Sequence, residues 1–215
     1  MLILKPYNYK YDCSYGRKKI LPFKYFKDYS HGINSILGST VNDYKFREPF
    51  ELAIKHGHPE VVKVIIDKTG GKSSSNISTH TIHLAAKCGH LNIFKIILDI
   101  NDFTNHSLLD DRNRTPIHIA AAHGCVGIME ELVARGENPN ALSNCRSTPL
   151  HYAAQRGHIN AVRFLLRCSE GTSPNKKDVT REKPLNLAVK SGHTEIVKTL
   201  LNYTKNPIAP DSFGW

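Results

Sequence analysis

Long apolar runs are missing from this chain of 215 residues. No uninterrupted stretch approaches the ~18 residues that cross a bilayer as a helix, and the apolar start Met1–Leu4 is stopped at once by Lys5 and Pro6. Neither a membrane span nor a secretory leader is expected. Cysteine is scarce and badly placed for structural chemistry. Cys13, Cys88, Cys125, Cys145 and Cys168 are odd in number, lie far apart and contain no Cys-x-x-Cys pair. They read as reduced thiols of an intracellular protein, cytoplasmic or nuclear, rather than as a disulfide framework or a zinc site. Also absent is any nucleophile motif, phosphate-cradling glycine loop, paired-carboxylate site or Cys/His cluster at a usable spacing. The sequence therefore predicts no enzyme activity, no metal and no cofactor.

Acidic side chains are in the minority, 19 against 29 Lys plus Arg, for a net charge of +10. The excess is uneven. Residues 1–27 carry seven basic side chains against Asp12 alone, a net +6, so the other 188 residues hold only +4. The tail, with Tyr7, Tyr9, Tyr11 and Tyr15 among its lysines, suits contact with phosphates and bases, but a solvated terminus is the reading we favour. A nearly balanced body gives little support to nucleic-acid or membrane binding.

What the chain has in abundance is self-similarity. Thr115-Pro116-Ile117-His118-Ile119-Ala120-Ala121 returns 33 residues later as Thr148-Pro149-Leu150-His151-Tyr152-Ala153-Ala154, and the glycines that follow, Gly124 and Gly157, are also 33 apart. Weaker copies begin at Glu48, His80 and Lys183, each followed by a glycine: Gly57, Gly89 and Gly192. In these residues the chain resembles the ankyrin repeat family, whose Thr-Pro-Leu-His-x-Ala-Ala-x-x-Gly-His signature the third and fourth copies carry almost intact. The resemblance divides the chain into a tail (1–27), a partial degenerate repeat (28–47, ending near Gly38–Asn42) and five repeats: 48–79, 80–114, 115–147, 148–182 and 183–215. Ala209–Trp215 looks like the finger that leads into a further repeat.

The physics of the unit can be read without the family. Thr115 and Thr148 are hydroxyl N-caps before a proline at the first helical position, and the glycines supply the left-handed residue that ends a helix. Second helices follow from apolar faces at steps of one, three and four: Val61, Val62, Ile65 and Ile66; Ile93, Ile96 and Ile97; Ile128, Met129, Leu132 and Val133; Val162, Leu165 and Leu166; Ile196, Val197, Leu200 and Leu201. One helix pair cannot bury such a face, whereas a stack can. The expected fold is all-α, an α-solenoid of stacked helix-turn-helix units. The resemblance adds β-hairpin fingers between units, lengthened by insertions near 101–109 and 170–177, and little strand. Gly70–Asn76 is the connection with the most flexible composition.

Histidine invites a metal reading, yet His83, His118 and His151 share one place in the repeat, and His58, His90, His158 and His193 share another. In the family such histidines hydrogen-bond backbone across turns and neighbouring units, the role expected for them here.

The resemblance implies a non-catalytic protein-interaction module that binds through a concave groove and its finger tips. Residues just before each turn glycine fall at the groove: Lys55, His56, Lys87, His123, Gln155, Arg156 and Lys190, with four permanent cations and no acid. Arg112, Asn113, Leu142, Asn144, Arg146, Thr180, Arg181 and Phe213 fall on fingers. The partner expected is another protein with an acidic segment. Two other readings stay open: a polyanion binder gripping nucleic acid or phospholipid by tail and groove, and a segment of a larger scaffold or channel protein. No sequence feature sets an oligomeric state.

Overall fold

The computed structural model describes residues 44–69, 78–100, 108–168 and 174–205. The chain divides into two compact units, Met1–Thr40 and Val41–Trp215, and every described residue belongs to the second. The expectations for the tail, for Gly38–Asn42, for Gly70–Asn76 and for Ala209–Trp215 with Phe213 lie outside the described residues.

Ten helices run in pairs through the described residues: α1 (Tyr44–His56) and α2 (Pro59–Lys68), α3 (Thr79–Cys88) and α4 (Leu91–Ile100), α5 (Pro116–His123) and α6 (Val126–Ala134), α7 (Pro149–Arg156) and α8 (Ile159–Cys168), α9 (Pro184–Lys190) and α10 (Thr194–Lys205). No strand occurs among these residues. Each odd helix packs on its even partner and on the odd helices before and after it, and the even helices stack likewise. The result is the expected all-α solenoid, with an inner and an outer layer. Its core is a continuous ladder from Phe50 to Leu200 rather than one central cluster.

Alanine sets the spacing of the inner layer. Ala85, Ala86, Ala120, Ala121, Ala153 and Ala154 are wholly buried, and their small side chains let neighbouring inner helices approach closely. The outer layer supplies volume through Ile65, Ile93, Ile97, Ile128, Met129, Leu132, Val162, Leu165, Ile196 and Leu200, all buried. Full burial of such a side chain contributes about 1.5–3 kcal/mol. Phe94, Leu98 and Phe164 join them although the apolar pattern had passed over them.

Two inner helices start earlier than the signature places them. The copy that begins at Glu48 has its proline, Pro49, inside α1, which reaches back to Tyr44. It sits near enough the N-terminus that only one intrahelical bond is lost. In α3 no proline fixes the start, so Ser78 caps the helix and Thr79 begins it. The turn glycines behave as the sequence requires: Gly124 adopts φ +71, and a Cβ there would lie 2.7 Å from the His158 Nδ1.

Five of the seven periodic histidines hydrogen-bond backbone far along the chain, three to the last residue of their own repeat and two to the preceding unit. The Thr115 N–H donates to His118 Nδ1 at 3.1 Å, so the ring proton is on Nε2, which donates to the Ser147 carbonyl at 3.1 Å. His151 repeats this, accepting from the Thr148 N–H at 3.1 Å and donating to the Glu182 carbonyl at 3.2 Å. His83 lies 3.0 Å from the Arg114 carbonyl through Nε2. His158 and His193 bond the carbonyls of Ala122 and Gln155 in the preceding unit, at 3.0 and 3.1 Å. In the third repeat Cys125 takes this second place, its Sγ 4.0 Å from the Lys87 carbonyl.

Candidate functional site: the concave groove

Three connections between units end in tight turns at 110–114, 143–147 and 178–182. In each, the first residue's N–H donates to the fifth residue's carbonyl: Asp110 to Arg114 at 3.0 Å, Ser143 to Ser147 at 3.1 Å, Asp178 to Glu182 at 3.0 Å. The fourth residue is left-handed, with φ 56, 54 and 61 at Asn113, Arg146 and Arg181. For the two arginines this costs roughly 1–2 kcal/mol each. Adjacent turns are joined through the main chain, the Asn144 N–H donating to the Arg112 carbonyl and the Val179 N–H to the Cys145 carbonyl, both at 3.0 Å. The expected fingers are therefore hairpin turns linked edge to edge, without strands among the described residues.

An aspartate organises two of these turns. Asp110 Oδ1 accepts the N–H groups of Arg112 and Arg114 at 3.0 and 2.8 Å, and its Oδ2 accepts the Arg114 Nε–H at 2.8 Å. Burial works against its charged form, but the Arg114 and Arg112 hydrogen bonds outweigh that and hold the carboxyl below the usual range. Asp178 Oδ1 accepts the Thr180 N–H, the Thr180 hydroxyl and the Glu182 N–H at 2.9, 2.7 and 2.9 Å. At the corresponding place in the middle turn stands Ser143, whose Oγ is buried without a partner.

Between the first turn and the inner helices lies a cavity of about 800 Å³. Lys87 comes to it from α3, His123 from α5, Gln155 and Arg156 from α7, and Arg112 from the turn. Five of the sequence-predicted residues thus share one cavity. The other predicted residues sit elsewhere. Lys55 lies 3.7 Å from Glu51, and His56 stacks on His58 with ring centroids 6.3 Å apart. Lys190 is held 2.7 Å from Glu182. Asn113, Asn144, Arg146, Thr180 and Arg181 are exposed on the turns, and Leu142 is half-buried.

The cavity also holds residues that counting charges missed. Leu84, Ile119 and Ala122 form an apolar floor, and Tyr152 joins them. The Tyr152 ring meets His118 edge-on at 5.6 Å and lies under the Arg114 guanidinium at 6.0 Å. Leu84, Ile119 and Tyr152 all occupy the variable place of the repeated signature, where a large apolar residue on every copy was the available signal. Asp110 and Asp111 line the turn side, so the cavity is not uniformly basic. Asp110 is tied to Arg114, while Lys87, Arg112 and Arg156 form no ion pair with a described residue. Burial first, then the charges of Lys87 and Arg156, push the His123 imidazole below its ordinary range, so it stands between two cations as a neutral ring.

Among the described residues no group of three or more His, Cys, Asp or Glu could hold a metal ion, and no helix is long and apolar enough to cross a membrane.

A family model described as "Ankyrin repeats (3 copies)" matches residues 50–143 and 127–211. Alpha-latrotoxin-Lg1a of Latrodectus geometricus is 32% identical over 115 residues, 53% of this chain and 8% of the toxin. The putative E3 ubiquitin-protein ligase XBAT31 of Arabidopsis thaliana is 34% identical over 92 residues, 42% of this chain and 20% of that protein. Transient receptor potential cation channel subfamily A member 1 of Drosophila melanogaster is 35% identical over 125 residues, 55% of this chain and 10% of the channel subunit. The chain spans no more than 20% of any of these three relatives.

Proposed function

The chain belongs to the ankyrin repeat family, and from that premise we propose that it is a non-catalytic protein-interaction module whose concave groove takes an extended acidic segment of a partner protein. One observation carries this reading. Lys87 and Arg156 line a single cavity with an apolar floor, and neither is neutralised by a described acid. Lys55 and Lys190, at either end of the same row, are already paired with Glu51 and Glu182.

The two kinds of contact divide the work. Exposed ion pairs contribute only about 0–1 kcal/mol each, so Lys87 and Arg156 chiefly steer encounter and set orientation. The floor of Leu84, Ile119 and Ala122 gives the partner apolar surface to bury, which carries most of the affinity.

A photo-crosslinking residue placed at Gln155 in the groove, with Arg163 on the outer layer as control, tests the reading in cells. Mass spectrometry of the groove product should return partner segments rich in Asp and Glu. Segments no more acidic than those captured from position 163 would refute it.

A further inference from the structure

The groove presents three free cations, and two of them, Lys87 and Arg156, stand on inner helices whose separation prescribes the spacing of acids in whatever binds. Lys87 lies in the last turn of α3 and Arg156 precedes the turn glycine at the end of α7, with α5 packed between them. Packed helices lie 8–10 Å apart, so the axes of α3 and α7 are about 16–20 Å apart. An extended chain advances about 3.3 Å per residue, so six residues span that gap, at ~20 Å. Six is also even, which matters because side chains of an extended chain alternate between faces. Residues at the first, third, fifth and seventh positions then point the same way.

We infer that the groove recognises an extended segment with two acids six positions apart and apolar side chains at the alternate positions between them. The acids meet Lys87 and Arg156, and the apolar side chains meet the floor of Leu84, Ile119 and Ala122 around neutral His123. This rests on the acidic-segment reading above and specifies it.

The middle of the groove selects against the alternatives. On its turn side Asp110 is tied to Arg114 and Asp111 stands beside Arg112, so that side is close to neutral and offers a third acid in the centre of the segment little attraction. A uniformly charged polyanion meets this near-neutral side and an apolar floor that offers its phosphates nothing. The observations therefore favour a peptide over a single-stranded nucleic acid.

The test uses the 215-residue chain and dye-labelled seven-residue peptides read by fluorescence anisotropy. The first peptide has glutamate at both ends and leucine at its third and fifth positions, with serine elsewhere. A second has the same composition with leucines at the ends and glutamates inside, a third replaces the leucines by serine, and a fourth carries lysine at both ends. The first should bind about tenfold tighter than the second or third. Lys87→Glu and Arg156→Glu should each weaken it, and the double reversal should bind the lysine-ended peptide instead. Both side chains are exposed, so melting temperatures should hold, and Lys55→Gln serves as a control that leaves affinity unchanged. Equal binding of the first and second peptides overturns the spacing inference while leaving the acidic groove intact. No binding of either at about 1 mM overturns both. Tighter binding of a twenty-residue oligothymidine, lost on the double reversal, makes the groove a nucleic-acid site and also overturns both.

Discussion

Replacing Ser143 by Asp should stabilise the protein, because the middle turn lacks the acceptor that both of its neighbours possess. Asp110 receives two main-chain N–H groups and Asp178 receives two N–H groups and a hydroxyl, whereas the Ser143 Oγ is buried and unpartnered. Hydrogen bonds to a charged group are worth about 1.5–3 kcal/mol each, against which stands the cost of partly burying a carboxylate. That cost is real, since Ser143 is only 5% exposed where the Asp110 side chain retains 16%. A net gain of about 1–2 kcal/mol follows, or ~3–6 °C in melting temperature for a body of this size. The sign of the pH dependence is fixed by the neighbours. Both Asp110 and Asp178 are held below their ordinary value of 3.8, despite burial, by the hydrogen bonds they accept. A folded pKa below the unfolded one means that the gain is present above pH 3.8 and disappears as pH falls through the folded value. Melts followed by circular dichroism at pH 7 and at about pH 2.5 measure both parts, with Asp178→Ser as the reverse experiment. An unchanged melting temperature at pH 7, or a gain that survives at low pH, would refute the reasoning.

His118 is driven from 6.5 to about 4 by burial, so its contribution is intact above pH 6.5 and falls away as pH drops toward 4. The loss is on the order of 3 kcal/mol, visible as a falling urea midpoint that is flatter in His118→Gln, and nitrogen NMR at pH 5.5 should find a neutral ring protonated at Nε2. Glu137 runs the other way: burial raises its carboxyl, outweighing the hydrogen bonds from Thr115 and from the Ile117 N–H. Its stability contribution is largest at low pH and lost as pH rises through the folded value. Glu137→Gln, which keeps the acceptor for the Ile117 N–H and removes the buried charge, should stabilise the fold by about 1 kcal/mol at pH 7 and little at pH 4. Gly124→Ala combines left-handed strain with a 2.7 Å clash on the His158 ring, while a Cβ on Gly136 at φ +87 meets nothing within 4 Å. The first should cost at least ~2 kcal/mol more than Gly136→Ala in denaturant titration.

The period was legible in the sequence because the stack repeats its chemistry: caps, prolines, alanine pairs and turn glycines recur wherever the backbone does the same thing. Helix starts were legible where a proline opens the helix, with a hydroxyl cap before it in α5 and α7 and without one in α9, whereas Pro49 lies inside α1. In the groove, aligning repeats brought Lys87, His123, Gln155 and Arg156 together on one surface. It could not discount Lys190, whose partner Glu182 is eight residues away across the corner between a turn and a helix and is brought near by the fold. Lys55 was readable in principle, since Glu51 lies one helical turn before it. Asp110 and Asp111 read as polar turn residues, and nothing local in the sequence indicates that their turn closes one side of the cavity.

The main-chain bonds from Asn144 to Arg112 and from Val179 to Cys145 make the turn edge and the outer layer of the stack mechanically unequal. The turn edge is stitched at a fixed pitch by hydrogen bonds that salt barely weakens. In the outer layer, α4 and α6 are braced by ion pairs such as Lys95 to Glu131 at 3.0 Å and Arg135 to Asp99 at 2.6 Å, exposed enough for ionic strength to screen them. Under load or in high salt the solenoid should therefore flex as a leaf spring does when one surface is inextensible. The outer helices fan apart while the distance measured along the turn edge stays constant.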